Sequence, residues 1–182
     1  MPELIAKSAL DGQGPLIVLG TTLVPVDLGP ITSVALFPKK ATAVNKVLKP
    51  LGLSFPAPGT TTAGPSARLV WTGPDQAFLI GMVAPDFGAV AATTDQSDGW
   101  SALHLSGALM PQVMSRLCPL DFRLAVFKPG QAARAQLGHM NAIFWAIDDG
   151  LMILTFRSMA KTAWDELAHA LHALAARVKA GV

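Results

Sequence analysis

Residues 142–158 read AIFWAIDDGLMILTFRS, and this stretch decides the fold class. Two apolar runs, Ala142 to Ile147 and Leu151 to Phe156, flank Asp148-Asp149-Gly150. Runs of this length and composition read as strands, and Asp-Gly between them is a strong hairpin signal. A type I′ turn at Asp149-Gly150 accounts for the motif, so Asp148 and Asp149 are not taken as a catalytic carboxylate pair. Ala132 to Leu137 supplies a third strand ahead of the hairpin. A helix follows it, because Trp164, Leu167, Leu171, Leu174 and Val178 recur at helical spacing. Ser158 stands where it can cap that helix. Arg177 and Lys179 fall in its last turn, where the helix dipole favours cations.

Upstream, Trp100 to Leu105 reads as a strand that puts Ala102 and His104 on one face and Leu103 and Leu105 on the other. A helix is expected from Ala108 to Leu117, with Leu109, Val113 and Leu117 on one stripe, ended by Pro119. The first part of the chain repeats this order. Ile31 to Phe37 reads as a strand. A helix over Lys39 to Lys49 carries the face Val44, Val47, Leu48 and Leu51, and Pro50 and Gly52 stop it. PAPGTTTAGP, residues 56–65, reads as a loop. Arg68 to Trp71 and Gln76 to Met82 read as strands joined at Thr72 to Asp75, and Pro85 to Ala92 as a short helical or irregular stretch. The fold class is therefore α+β: a duplicated strand-helix-strand-strand-helix unit, the second with an extra strand. Its helices pack on mostly antiparallel sheet. Residues 31–182 form one domain of two similar halves, 31–95 and 96–182. Residues 1–30 read as an irregular arm, because Gly12, Gly14, Pro15, Gly20, Pro25, Gly29 and Pro30 interrupt any long element.

Composition narrows the function classes. The chain has 182 residues, 51% of them hydrophobic and 14% charged, with a net charge of +2. That excludes disorder for most of its length and is enough chain to bury a core. Cys118 is the only cysteine, which excludes a disulfide framework and an iron–sulfur cluster or zinc ribbon held by this chain alone. No basic run exceeds Lys39-Lys40, so no nucleic-acid footprint is expected. No apolar stretch is long enough to span a membrane, and no signal-peptide layout opens the sequence, so a cytoplasmic location is expected. The scarcity of charge has two readings: an apolar surface that meets a partner, or an alanine-rich composition bias.

Candidate chemistry is thin. Asp165, His169 and His172 share one helix face at metal-compatible spacing, but a solvated polar edge explains them as well and no fourth ligand is visible; no metal is expected. Cys118 lacks an organised base, although His104 and His139 exist, so a buried structural thiol is expected rather than a hydrolase nucleophile. Arg134, His139 and Arg157 are polar groups among apolar strands. Arg157, just before the helix start, is placed to hold an anion or to pair with Asp121 or Asp98. Gly12-Gln13-Gly14 runs into Pro15, so it is no dinucleotide fingerprint.

Four motifs taken in order add more: Trp71-Thr72-Gly73-Pro74-Asp75 before an apolar strand, Gln96-Ser97-Asp98-Gly99-Trp100, Leu117-Cys118-Pro119-Leu120-Asp121, and Phe156-Arg157-Ser158. With the proline-rich loop before Arg68, the set resembles the gamma subunit of heterotetrameric sarcosine oxidase, over about Ile31 to Ala175. The resemblance implies a subunit of a complex that oxidatively demethylates sarcosine to glycine. Electrons pass from FAD through FMN to oxygen, and the one-carbon unit can pass to tetrahydrofolate. FAD, FMN, NAD and tetrahydrofolate are associated with the two larger subunits, and none with this chain alone. Its partners are the alpha, beta and delta subunits, with packing on alpha, and it carries no catalytic residue.

That family is similar in turn to the folate-binding domain of aminomethyltransferases, which fits Ser106 to the last helix, including Lys128-Pro129-Gly130. An Asp-Asp pair serves folate chemistry there, and His139 and Met140 stand near those positions. Methionine cannot accept a proton and neutral histidine lacks the carboxylate charge, which speaks against aminomethyl transfer by this chain. The alternative function is a stand-alone folate-binding or aminomethyltransferase-like module. It expects a pocket between the halves, with Trp100 or Trp145 as aromatic wall and Trp100, His139 and Arg157 as folate or anion contacts.

Overall fold

The computed structural model describes residue 5 and residues 7–181. Its strands begin with β1 (Leu16–Val18), β2 (Thr21–Val26), β3 (Ile31–Leu36), β4 (Thr61–Ala63), β5 (Arg68–Gly73) and β6 (Gln76–Ile80). They continue with β7 (Ala91–Asp95), β8 (Trp100–Ser106), β9 (Ala132–Leu137), β10 (Met140–Ile147) and β11 (Gly150–Phe156). The helices are α1 (Ala41–Leu48), α2 (Met110–Leu117) and α3 (Ala160–Ala180).

Two sheets form, one ordered β4-β5-β6-β3-β7 and the other β9-β10-β11-β8-β2-β1, and every named pairing is antiparallel. The sheets stack face to face over Val70, Phe78, Ile143, Trp145, Met152 and Leu154. The helices α2 and α3 cover the outer face of the six-stranded sheet through Leu103, Leu105, Val113, Met114, Trp164, Leu167 and Leu171. Val44 and Leu48 of α1 cover the five-stranded sheet, on Val34, Leu69 and Leu79. The result is four layers, helix–sheet–sheet–helix, in which the central strands β10 and β11 bury both faces while the edge strands β1, β4, β7 and β9 keep exposed or half-buried positions. That double burial explains the unbroken apolar runs of β10 and β11.

The two sheets have the same internal order. A strand (β3 or β8) leads to a helix and then to a three-strand meander, whose last strand returns to pair with the first. The place on the other side of the first strand is filled by β7 in one sheet and by β2 in the other. The second half follows the expected order, with its extra strand and final helix, whereas the first half gains β4 and ends in β7 rather than in a helix. The stretch 85–92 makes only a three-residue 3-10 turn, Gly88–Val90, before β7. β4 lies inside the stretch read as a loop. Its three residues, Thr61 to Ala63, carry no apolar pattern and pair with Arg68 to Val70.

The irregular arm is corrected in the same way. Residues 1–4 and 6 lie outside the described residues, but Leu16 to Val26 forms the hairpin β1–β2, and β2 pairs with β8. Leu23 is fully buried in the core under α2 and α3. Two of the residues that suggested breakage, Gly20 and Pro25, sit where they do no harm. Leu19 and Gly20 both have positive φ, 48° and 73°, which is the type I′ hairpin loop. Pro25 lies beyond Leu23, the last β2 residue that β1 pairs, so that its outer side is an open edge.

Three local expectations also change. Asp148, Asp149 and Gly150 all lack positive φ, so the hairpin is present but its turn is not type I′. Gly150 is required by space: a Cβ there would lie 2.5 Å from the Leu105 carbonyl oxygen on β8 and 2.7 Å from His104 Nε2. Ser158 does not cap α3. It lies within a 3-10 turn, Arg157–Met159, and the helix starts after Met159 with no side-chain cap. The buried stripe of α2 is Met110, Val113 and Met114, with Leu109 and Leu117 half-buried. On α3 burial lasts to Ala175, while Val178 is 56% exposed. The helix runs about 31 Å and the strands beneath it about 23 Å, so its last turns overhang.

Candidate functional site

Both connections between the sheets pass one point. Asp27 to Pro30 joins β2 to β3, and Gln96 to Gly99 joins β7 to β8. A cavity of about 670 Å³ opens there, walled by these crossovers, by Trp100 and Ala102 of β8, by Arg157 and by Lys7 to Gly12. Two of the three expected contacts, Trp100 and Arg157, therefore meet at one cavity. Pairing of β8 with β11 sets Phe156 opposite Trp100, which places Arg157 next to it in the chain.

The indole is held on several sides. Its ring centroid lies 4.4 Å from that of Phe156, tilted by 30°, and 5.3 Å from that of Phe78, edge to face. Trp100 Nε1–H donates to Gln96 Oε1 at 3.3 Å. The crossover beneath it is tied as well. Ser97 Oγ accepts from the Ile31 backbone N–H at 3.0 Å and donates to Asp95 Oδ1 at 2.7 Å. The bonds that Ser97 donates to Asp95, from Oγ and from its backbone N–H at 3.0 Å, hold the Asp95 carboxyl below the usual carboxylate range.

Arg157 donates through Nη2 to the backbone carbonyl of Lys7. Neither expected ion pair forms. Asp121 is taken by Arg123, with Nε donating to Oδ2 at 2.9 Å, and Asp98 has no ion-pair partner among the described residues. The Lys7 to Gly12 wall is anchored by Leu10, which is 5% exposed and belongs to the core under α2 and α3. Nothing in Ser8-Ala9-Leu10-Asp11-Gly12 repeats with a strand or helix period, so sequence reasoning missed this wall.

His139 does not join the cavity. It is exposed in the two-residue turn Gly138–His139 between β9 and β10, and β11 and β10 separate that turn from β8. Gly138, at φ 58° in the first loop position, suits a type II′ turn, so the segment is explained by chain reversal. Trp145 is 2% exposed and packed between the sheets, so it is core rather than a pocket wall. Arg134 is exposed on the edge strand β9.

The remaining candidates separate. Cys118 is a free thiol, 6% exposed at the end of α2, and burial pushes its pKa up. That is the opposite of what a nucleophile needs. His104 sits on β8 with Nε2 3.6 Å from Asp149 Oδ1, too far for a hydrogen bond. On α3, Lys161 Nζ holds Asp165 at 2.9 Å, and His169 and His172 are exposed. Among the described residues no group of three or more His, Cys, Asp or Glu side chains is placed to hold a metal ion. No helix among them is long and apolar enough to cross a membrane.

No protein-family model matches the chain, and no curated protein sequence matches it. Among solved structures, the chain is similar to a chain of the heterotetrameric sarcosine oxidase from Corynebacterium sp. U-96, determined in complex with pyrrole 2-carboxylate. The TM-score is 0.74 at 20% sequence identity, with 85% of each chain covered. The two chains share a fold. Since one alignment covers the same share of both, they are also of similar length.

Proposed function

We propose that this chain is a gamma-type, non-catalytic structural subunit of a heterotetrameric sarcosine oxidase. The observation that carries the reading is the shared fold across 85% of both chains, in a neighbour that is itself part of a four-chain oxidase. The ordered motifs quoted above supply independent support, because they were read without reference to the fold. On this reading the duplicated pair of sheets is the architecture of the aminomethyltransferase folate-binding domain, kept as a scaffold. His139 and Met140 hold no carboxylate pair, in keeping with a non-catalytic role. FAD, FMN, NAD and tetrahydrofolate belong to the larger subunits, the partners are the alpha, beta and delta chains, and the assembly is cytoplasmic. Leu124 and Val126, 57% and 50% exposed in the segment after α2, suit a subunit surface.

The test is affinity purification of the tagged chain from its native host, with an absorption spectrum and a sarcosine-dependent peroxide assay on the eluate. The expected result is co-purification of two larger chains and one smaller chain, flavin bands, and peroxide production. A colourless eluate holding this chain alone would sink the reading. The cavity favours one second reading, the stand-alone folate-binding module, because Trp100 and Arg157 converge there. Calorimetry of the isolated chain with tetrahydrofolate decides it, and absence of heat at high micromolar ligand removes it.

A further inference from the structure

The cavity at the crossover presents charges of both signs that do not neutralise one another. Lys7 and Asp11, on one wall, satisfy each other at 3.1 Å. Arg157 spends one donor on the Lys7 carbonyl and makes no ion pair among the described residues. Asp27 accepts one backbone bond, from Gly29 N–H at 2.9 Å, and Asp98 is likewise without an ion-pair partner there. All three line the same cavity as the braced indole of Trp100. The volume of about 670 Å³ lies in the range of small-molecule sites.

Charge arrangement selects the ligand class. A simple anion drawn to Arg157 meets the field of Asp27 and Asp98, and a simple cation drawn to the carboxylates meets Arg157. A molecule carrying both charges on a short frame satisfies both sets at once. Trp100 lines the same cavity, so its indole reports on what enters there. The guanidinium keeps free donors for a carboxylate after its bond to Lys7. We infer that this cavity binds a small zwitterion, its carboxylate at Arg157 and its ammonium toward Asp27 and Asp98. The site does not depend on the subunit reading, since its groups all belong to this chain.

The test follows the Trp100 indole N–H by NMR in the full-length, nitrogen-15-labelled chain, with the signal assigned by Trp100→Phe. Three probes are titrated: glycine betaine, acetate and tetramethylammonium. Betaine is expected to shift the signal saturably, with affinity about tenfold above either single-charge probe, the equivalent of one added charge-assisted contact. Arg157→Gln is expected to weaken betaine about fivefold or more and to strengthen tetramethylammonium, whose charge the guanidinium opposes. The double change Asp27→Asn with Asp98→Asn is expected to weaken tetramethylammonium and betaine and to strengthen acetate, which those carboxylates oppose. These side chains are exposed, and circular dichroism checks that each variant keeps its fold. No saturable shift, equal affinity for acetate and betaine, or indifference to the charge changes would each overturn the site.

Discussion

The thiol of Cys118 shows how a single environment fixes a residue's role. It sits in the core under α2 and α3, and desolvation disfavours the thiolate, with the Leu120 backbone N–H acting weakly in the opposite direction. A folded-state pKa above the unfolded one means that the folded chain holds the proton more tightly. The stability it contributes is complete below the ordinary thiol range and is lost as pH rises through the raised value. The urea midpoint should therefore fall between pH 7.5 and 9.5 more steeply for the parent chain than for Cys118→Ala. Alkylation of the native thiol should be slow at pH 8 and become fast only in denaturant. Parallel pH slopes, or complete labelling of the folded chain within seconds, would contradict this account. The same residue marks a limit of sequence reading: Leu-Cys-Pro suggested a structural thiol, but only the packed core gives the direction of its titration.

At the scale of elements, the hairpin β1–β2 carries a conflict between loop geometry and residue type. Its type I′ loop needs positive φ at both positions, and Leu19 occupies the first of them at 48°. Leucine there has its Cβ crowded against the backbone, at a cost of about 1–2 kcal/mol. The side chain is 49% exposed, so little burial offsets the strain. Leu19→Asn should raise stability by about 0.5–1 kcal/mol, seen as a higher urea midpoint with an unchanged slope. A lower midpoint would show that the leucine's contacts outweigh the strain. This loop also explains which elements were legible. β10, β11 and α3 bury broad apolar surfaces, so their periods stand out. β1 and β4 have three residues each, and the registers of β2 and β7 depend on neighbours far along the chain, as Thr22 to Val26 depends on Ala102 to Ser106. Glycine in such hairpins marks a reversal, and local reading takes it for a break. The site shows the same division. Trp100 and Arg157 were legible because they flank strong strands that pair, whereas Asp27 reaches the cavity through a chain crossover and Leu10 through the segment before β1.

For the whole molecule, equivalence of the two sheets turns the N-terminal segment into a structural part. In the five-stranded sheet the position beside the leading strand is filled from within the same unit, by β7. In the six-stranded sheet the chain reaches α3 after β11, and β2 must come from the opposite end of the sequence to fill that position. The second unit cannot complete its sheet without residues that precede the first. Removing 1–26 would strip Leu23 from the core and leave the backbone of β8 unpaired along the edge that β2 covered. A burial of that size is worth about 2–5 kcal/mol for the leucine alone. An exposed inner strand is also a template for association between chains. The shortened protein should therefore elute as oligomer or aggregate in size-exclusion chromatography and lose its cooperative thermal transition. A folded monomer with the parent's transition would mean that β8 tolerates an open edge and that β1–β2 is an accessory. The expected failure would instead make the chain's fold a closed circuit, whose first strands and last helix stabilise the same sheet.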